Sequence, residues 1–265
     1  MSKLNSGPDA LIAGPVTLIN PFTVPPAETA QFLSHWRQSA GIMAAQPGLV
    51  RACLYRALDD AAEVPFVNIA QWDSGIAFDQ ARANPDFRAE GQRVLDAPQL
   101  HIAGRPGVYQ IALVVHPSHV REPTRDDVRD HYSLSQPAEP RAGLITVPDA
   151  EANGPVTMIN PFTVPPAQTE QFLRHWRQSA PIMAAQPGAI RAHLYRALDD
   201  AAEVPFVNVA EFDSPTAHGR AWTDPEWRAS MQRMQDAVEL HATPRPALYR
   251  KAIEAHPRDA SPSFT

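Results

Sequence analysis

The chain has 265 residues, enough for two domains of ordinary size. It is 44% hydrophobic and 20% charged, with a formal net charge of -6. That balance lacks the concentrated basic surface that nucleic acid or an anionic membrane requires, so neither is expected as a partner. Cys53 is the only cysteine, which excludes an internal disulfide and a thiolate metal cluster.

The first ten residues, MSKLNSGPDA, show no basic region followed by an apolar core, so no signal peptide is expected. No apolar run approaches the ~18 residues a membrane span needs, and a cytoplasmic protein is the simplest expectation. PVTLINPF then alternates as a strand, with Val16, Leu18, Asn20 and Phe22 on one face. Pro25 and Pro26 open a helix predicted over Ala27–Gln46, since proline is tolerated in a first turn. Phe32, Trp36, Ala40 and Met43 stripe one side of it. Pro47 and Gly48 stop it. LVRACLYRAL reads as a second strand, with Val50, Ala52 and Leu54 facing one way and Arg51, Cys53 and Tyr55 the other. FVNIAQWDS is a third strand. Helical segments follow from Ser74 to about Ala97, broken near Pro85, and GVYQIALVVH is the last strand. The order β-α-β-β-α-β is the ferredoxin-like arrangement of an α+β protein.

The same pattern then returns. GPVTLINPFTVPPA begins at Gly14, and GPVTMINPFTVPPA begins at Gly154. Residues 14–117 align with 154–257 at a constant offset of 140, without a gap. From Gly14 to Ser74, 50 of 61 positions are identical; from Gly75 to Pro117, only 17 of 43 are. Each copy has the size of a domain rather than of a solenoid unit. The chain is read as a tandem duplication, with one ferredoxin-like domain at 14–117, a second at 154–257 and a linker at 118–153 that carries a short helix around Asp126–Tyr132. A four-stranded sheet with helices on one face needs cover on the other. Two such units can stack into a barrel, so the second copy is expected to serve as an internal partner subunit. The clasped halves are expected to enclose an apolar chamber.

In the third strand, Phe66, Asn68, Ala70 and Trp72 share a face, as do Phe206, Asn208, Ala210 and Phe212 in copy two. A buried amide must be hydrogen-bonded. Either Asn68 donates to a ligand oxygen while Trp72 packs on a flat ring, or the Asn bonds neighbouring backbone and the Trp is plain core. Asn20 and Asn160 pose the same choice. HWRQSA occurs in both first helices, placing His35 and His175 beside the apolar stripe with Trp36 and Trp176. A histidine at a cavity edge can take a proton from a phenol near neutral pH, or it can be a half-exposed surface residue. Tyr55 and Tyr195, with Arg51 and Arg191, either wall the same pocket or line the interface between the sheets. No phosphate-cradling Gly-rich loop and no Gly-x-Ser-x-Gly elbow is present. HPSH at 116–119 becomes HPRD in copy two and is taken as a loop rather than a metal pair, and no metal site is expected. His101 and His241 read as capping or surface residues. The divergent stretch places Trp222, Trp227 and His218 where copy one has Arg82, Phe87 and Phe78. Different lids over similar floors suggest one catalytic pocket and one altered pocket.

At FVNIAQWDS and FVNVAEFDS, and at HWRQSA followed by IMAAQPG, the sequence resembles the antibiotic biosynthesis monooxygenase superfamily over both copies. The resemblance implies that each unit is half of an α+β barrel. It implies oxidation of polyketide anthrones or hydroquinones by dioxygen, without metal or tightly bound cofactor. The family's strand-three Asn and Trp fall on Asn68 and Trp72; in copy two they fall on Asn208 and Phe212, a departure from the pattern. Fused double units of this length also resemble the angucycline ring-opening oxygenases, which implies reduced flavin (FADH2 or FMNH2) supplied by a separate reductase. The resulting assignment makes Asn68, Trp72 and His35 catalytic. Trp36, Tyr55, Asn20 and Phe66 bind substrate, with Asn208, Phe212, His175, Trp176, Tyr195 and Trp222 as their copy-two counterparts. A non-catalytic small-molecule binder on the same fold is the alternative. A haem-degrading protein is a further one, to which Asn160 and Trp222 are suited but for which no histidine stands near Met231 and Gln232. A homodimer of the fused chain stays open.

Overall fold

The computed structural model describes residues 13–95, 100–124, 127, 145–146, 153–239, 241–242 and 247–257. Among the described residues, eight long strands and six α-helices carry the fold. In the first half they are β1 (Val16–Thr23), α1 (Thr29–Ala44), β2 (Leu49–Ala57), β3 (Phe66–Trp72), α2 (Gly75–Ala83), α3 (Pro85–Leu95) and β4 (Gly107–His116). In the second they are β5 (Val156–Thr163), α4 (Thr169–Ala184), β6 (Ala189–Ala197), β7 (Phe206–Phe212), α5 (Pro215–Thr223), α6 (Pro225–Ala237) and β8 (Ala247–Ala255).

Local chemistry sets these boundaries. The predicted helix over Ala27–Gln46 opens as a 3-10 turn at Pro26–Glu28 and becomes α-helical at Thr29. Gly48 follows it with φ +81, a left-handed conformation that a side chain resists. Ser74 caps α2 by accepting the Ala77 N–H at 3.2 Å, and Asp224 caps α6 by accepting that of Trp227 at 2.8 Å. The break near Pro85 separates α2 from α3, as the sequence indicated.

The strands close into one antiparallel barrel in the order β1-β3-β2-β8-β5-β7-β6-β4 and back to β1. The halves exchange their last strands. β4 pairs with its own β1 and with β6 of the second half. β8 pairs with its own β5 and with β2 of the first. Two hydroxyls repeat the exchange: Tyr109 donates to the Val204 carbonyl and Tyr249 to that of Val64, each at 3.1 Å. Burial pushes both phenols up to about 12. The duplication thus supplies an internal partner.

The segment expected as a linker is partly built into the fold. His119–Arg121 pairs with the end of β4, and Ile145–Thr146 pairs with β8. The helix expected around Asp126–Tyr132 lies outside the described residues except for Asp127, which is helical and ion-paired with Arg121.

The barrel interior corrects the expected chamber. Ile19, Cys53, Tyr55, Val67, Ile69, Ile159, Tyr195, Val207 and Val209 fill it. Two buried ion pairs join them, Arg51 with Glu254 and Arg191 with Glu211. Apolar clusters with polar inserts lie on the outer faces, between sheet and helices. There each core is finished by the other half: Ile253 and Ala255 of β8 pack under α1, and Leu113 and Val115 of β4 pack in the second half.

Candidate active site

β1 and β3 form the floor of the first-half site. Their register sets Asn20 directly opposite Asn68, and Phe22 opposite Phe66. By strand alternation, Asn68 shares the helix-facing side with Phe66, Ala70 and Trp72. α1 lays Phe32 and Trp36 over this floor. Phe32 contacts Phe22 and Phe66 with ring centroids 5.2 and 4.8 Å apart. Trp72 lies four residues beyond Asn68, about 13 Å along the strand, and packs on Phe78 of α2 at 5.6 Å.

Four buried polar atoms here have no hydrogen-bond partner among the described residues: Asn20 Oδ1, Asn68 Oδ1, Trp72 Nε1 and His35 Nδ1. Leaving such an atom unsatisfied costs about 1–3 kcal/mol each. The sequence left open whether the amides bond neighbouring backbone; the Asn20 and Asn68 oxygens do not. Gly104, which sequence reasoning missed, lies against Asn20 and Phe22. A Cβ placed on it would stand 3.0 Å from Asn20 Oδ1 and 3.2 Å from Phe22 Cε1. Its counterpart is Pro244, so the difference between copies was the available signal.

The second half keeps the floor but closes over it. Asn160 faces Asn208 across β5 and β7. Asn160 Oδ1, Asn208 Oδ1, Trp176 Nε1 and His218 Nε2 are buried here without a hydrogen-bond partner among the described residues. Met158, Asn160, Phe162 and Leu173 are buried, whereas Leu18, Asn20, Phe22 and Leu33 at the same positions are half-exposed. Trp176 sits edge-on to Phe162 at 5.5 Å, and Met234 and Val238 complete that cluster. His218 meets Phe212 edge-on at 5.2 Å and stacks on Trp222 at 5.8 Å. Burial lowers the His218 pKa below the usual histidine value.

Two predicted wall residues are elsewhere. Tyr55 and Tyr195 are fully buried inside the barrel, on the opposite face of the sheet from Asn68 and Asn208. They line the interface between the sheets, with Arg51 and Arg191. Desolvation raises the Tyr195 pKa above the ordinary phenol value. His175 is half-buried on α4. His101 is largely exposed and bonds Glu28 through Nδ1 at 2.8 Å, a surface role. His241 lies in a short strand beside Thr163. No group of three or more His, Cys, Asp or Glu side chains that could hold a metal ion occurs among the described residues.

The sequence profile described as antibiotic biosynthesis monooxygenase matches residues 15–90 and again 155–233. The chain belongs to that family. A deoxynogalonate monooxygenase of Streptomyces nogalater is 40% identical over 86 residues, 32% of this chain and 68% of its own length. Two solved structures share the fold over nearly the whole chain. An anthrone oxidase-like protein has a TM-score of 0.64 at 13% identity, covering 92% of this chain and 93% of its own. A candidate monooxygenase of Fusobacterium nucleatum subsp. nucleatum has a TM-score of 0.62 at 8% identity, with 92% and 95% covered. No helix among the described residues is long and apolar enough to cross a membrane.

Proposed function

We propose that this family member is an oxygenase that uses dioxygen to oxidise an aromatic polyketide anthrone or hydroquinone in antibiotic biosynthesis, and that the first half is its working site. The observation that carries this reading is the facing Asn20–Asn68 pair. Both oxygens are buried and unpartnered, under the aromatic cover of Phe22, Phe32 and Phe66.

The chemistry asks little of the protein. Loss of a proton makes an anthrone electron-rich enough to pass an electron to dioxygen. In the simplest outcome the ring CH2 becomes C=O and the second oxygen atom leaves as water, so substrate and dioxygen balance without another reductant. His35 takes the first proton. The unpartnered Asn20 and Asn68 oxygens accept hydrogen bonds from phenol hydroxyls of the substrate, and the Nδ2 groups of the two amides donate to the oxygen on which charge develops. Trp36, Phe66 and Trp72 hold the rings flat, and the α1 cover excludes water from the reactive pair. On this reading no tightly bound cofactor is needed. Hydroxylation of a hydroquinone balances in the same way, the ring becoming a hydroxyquinone while its own two electrons take the second oxygen atom to water; ring opening is the outcome for which reduced flavin from a reductase would be the added co-reactant.

Oxygen uptake with an anthrone and with a dihydroquinone, each with and without reduced flavin, tests the proposal. Uptake without flavin supports it, and uptake only with flavin replaces the cofactor-free version. Tight binding with no uptake under either condition favours the non-catalytic binder. A Soret band on adding haem would favour the haem reading.

A further inference from the structure

The two halves share their asparagine pair and differ in the bulk around it. On the floor, Met158 stands between Ala210 and Leu248, where the first half has Leu18 between Ala70 and Val108. On the covering helix, Met231 of α6 stands where α3 has Gly91. Each of these differences adds side-chain volume to the second half.

Met231 lies across the second-half amides. It packs against both apolar clusters of that half, one holding Met158, Ala210 and Phe212, the other Phe162, Trp176 and Phe206. Asn208 stands between Phe206 and Ala210 on β7, with Asn160 opposite, so a side chain that touches both clusters spans the pair. An unbranched, flexible thioether is suited to such a gap. Met158 and Phe162 beneath it are each 1% exposed, which leaves this floor sealed.

Gly91 leaves the matching place empty. A methyl group on it would meet nothing within 4 Å. It lines a cleft of about 490 Å3 that opens between α2 and α3. Phe87 lines the same cleft and packs against the core that holds Trp36 and Trp72, so the cleft abuts the first-half site. Leu18, Asn20 and Phe22 are half-exposed there. Glycine inside an eleven-residue helix is less stable than methionine, and nothing packs against it in return. Open space is what this residue contributes.

We infer that the residue at this helix position decides which floor a polycyclic ligand reaches. Gly91 is the doorway of the first-half pocket. Met231, backed by Met158, is the stopper of a second-half pocket that keeps its amides. The inference rests on the oxygenase reading for the kind of ligand considered, and adds the residues that admit or refuse it.

The test counts binding sites. The probe is 1,8-dihydroxyanthraquinone, a flat phenolic ring system that lacks an oxidisable CH2, titrated calorimetrically into the full chain. Wild type should bind one quinone per chain. Gly91→Met should weaken that site by about tenfold or more. The same variant should melt no lower than wild type, because methionine is the better helix former, which separates a blocked pocket from a damaged fold. Met231→Ala with Met158→Leu should bind two quinones per chain, and all three substitutions together should bind one. If the Met231 variants melt too low to titrate, Gly91→Met alone decides. Wild-type affinity in Gly91→Met overturns the inference, as does a single site in a folded Met231→Ala/Met158→Leu chain. The expected site counts without oxygen uptake on the corresponding anthrone keep the doorway and remove the oxygenase reading. Uptake by wild type with binding unchanged in every variant does the reverse.

Discussion

Replacing Glu254 by Gln isolates what holds the two halves together. Glu254 is fully buried on β8, and its ion pair with Arg51 of β2 crosses from the second half to the first. Cys53 also donates to its Oε1, at 3.5 Å. Its counterpart on β4 is Val114, so the first half has no such acid to offer. The substitution leaves Arg51 charged and 6% exposed inside the barrel. Breaking a buried pair by removing one partner costs about 3–5 kcal/mol. At roughly 2–4 °C per kcal/mol for a chain of this size, the melting temperature should fall by roughly 6–20 °C. Urea titration and calorimetry on the full chain measure the loss. Arg51→Met/Glu254→Met removes both charges and should recover most of it, since a well-packed apolar replacement of a buried pair is often neutral. A single variant within about 1 kcal/mol of wild type, with no recovery in the double variant, would refute the idea that the seam depends on this pair.

Three further outcomes follow from the same structure. Burial, helped by Arg191, lowers the His193 pKa from 6.5 to about 3. The unfolded chain therefore binds a proton that the native chain refuses. His193 has no effect above about pH 6.5, and stability drains away by about 1.4 kcal/mol per pH unit from there down to about pH 3. His193→Cys, which installs the first half's residue, should flatten that part of the urea midpoint–pH curve; an unchanged slope would contradict the assignment. Gly48→Ala must hold φ +81 and bring a methyl 2.3 Å from Ala77 Cβ, so a loss of about 2–4 kcal/mol is expected by thermal melting. Gly104→Ala pushes on Asn20 and Phe22, and should lower kcat/KM severalfold while moving stability by less than about 1 kcal/mol; a melting shift with normal kinetics would show that the glycine serves packing alone.

Much of this molecule was legible from spacing. The offset of 140 announced a pseudo-dimer, and alternation grouped Asn68 with Phe66 and Trp72 before any coordinates. What alternation cannot supply is which face of a strand meets the helices. In β2 both faces are buried, so Leu54 and Tyr55 look equally internal, and alternation alone leaves Tyr55 open between a pocket wall and the interface between the sheets. The filled barrel was hidden for a related reason. Glu254 reaches Arg51 only through the exchange of β8, whereas Arg191 and Glu211 face each other on β6 and β7 of one half. The exchange of β4 and β8 depends on long-range pairing that no local pattern records. By contrast, the inequality of the halves was visible in the divergence after Gly75. It became physical once Leu18, Asn20 and Phe22 proved half-exposed and Met158, Asn160 and Phe162 buried.

The central claim is that one of two similar floors does the work. Oxygen uptake by Asn68→Ala and Asn208→Ala, assayed side by side on one anthrone, tests it most directly. Removing a hydrogen-bonding group that meets the developing charge costs about 10²–10³ in turnover, so Asn68→Ala should lose activity on that scale while Asn208→Ala stays within about threefold of wild type. Equal losses from the two would contradict the account.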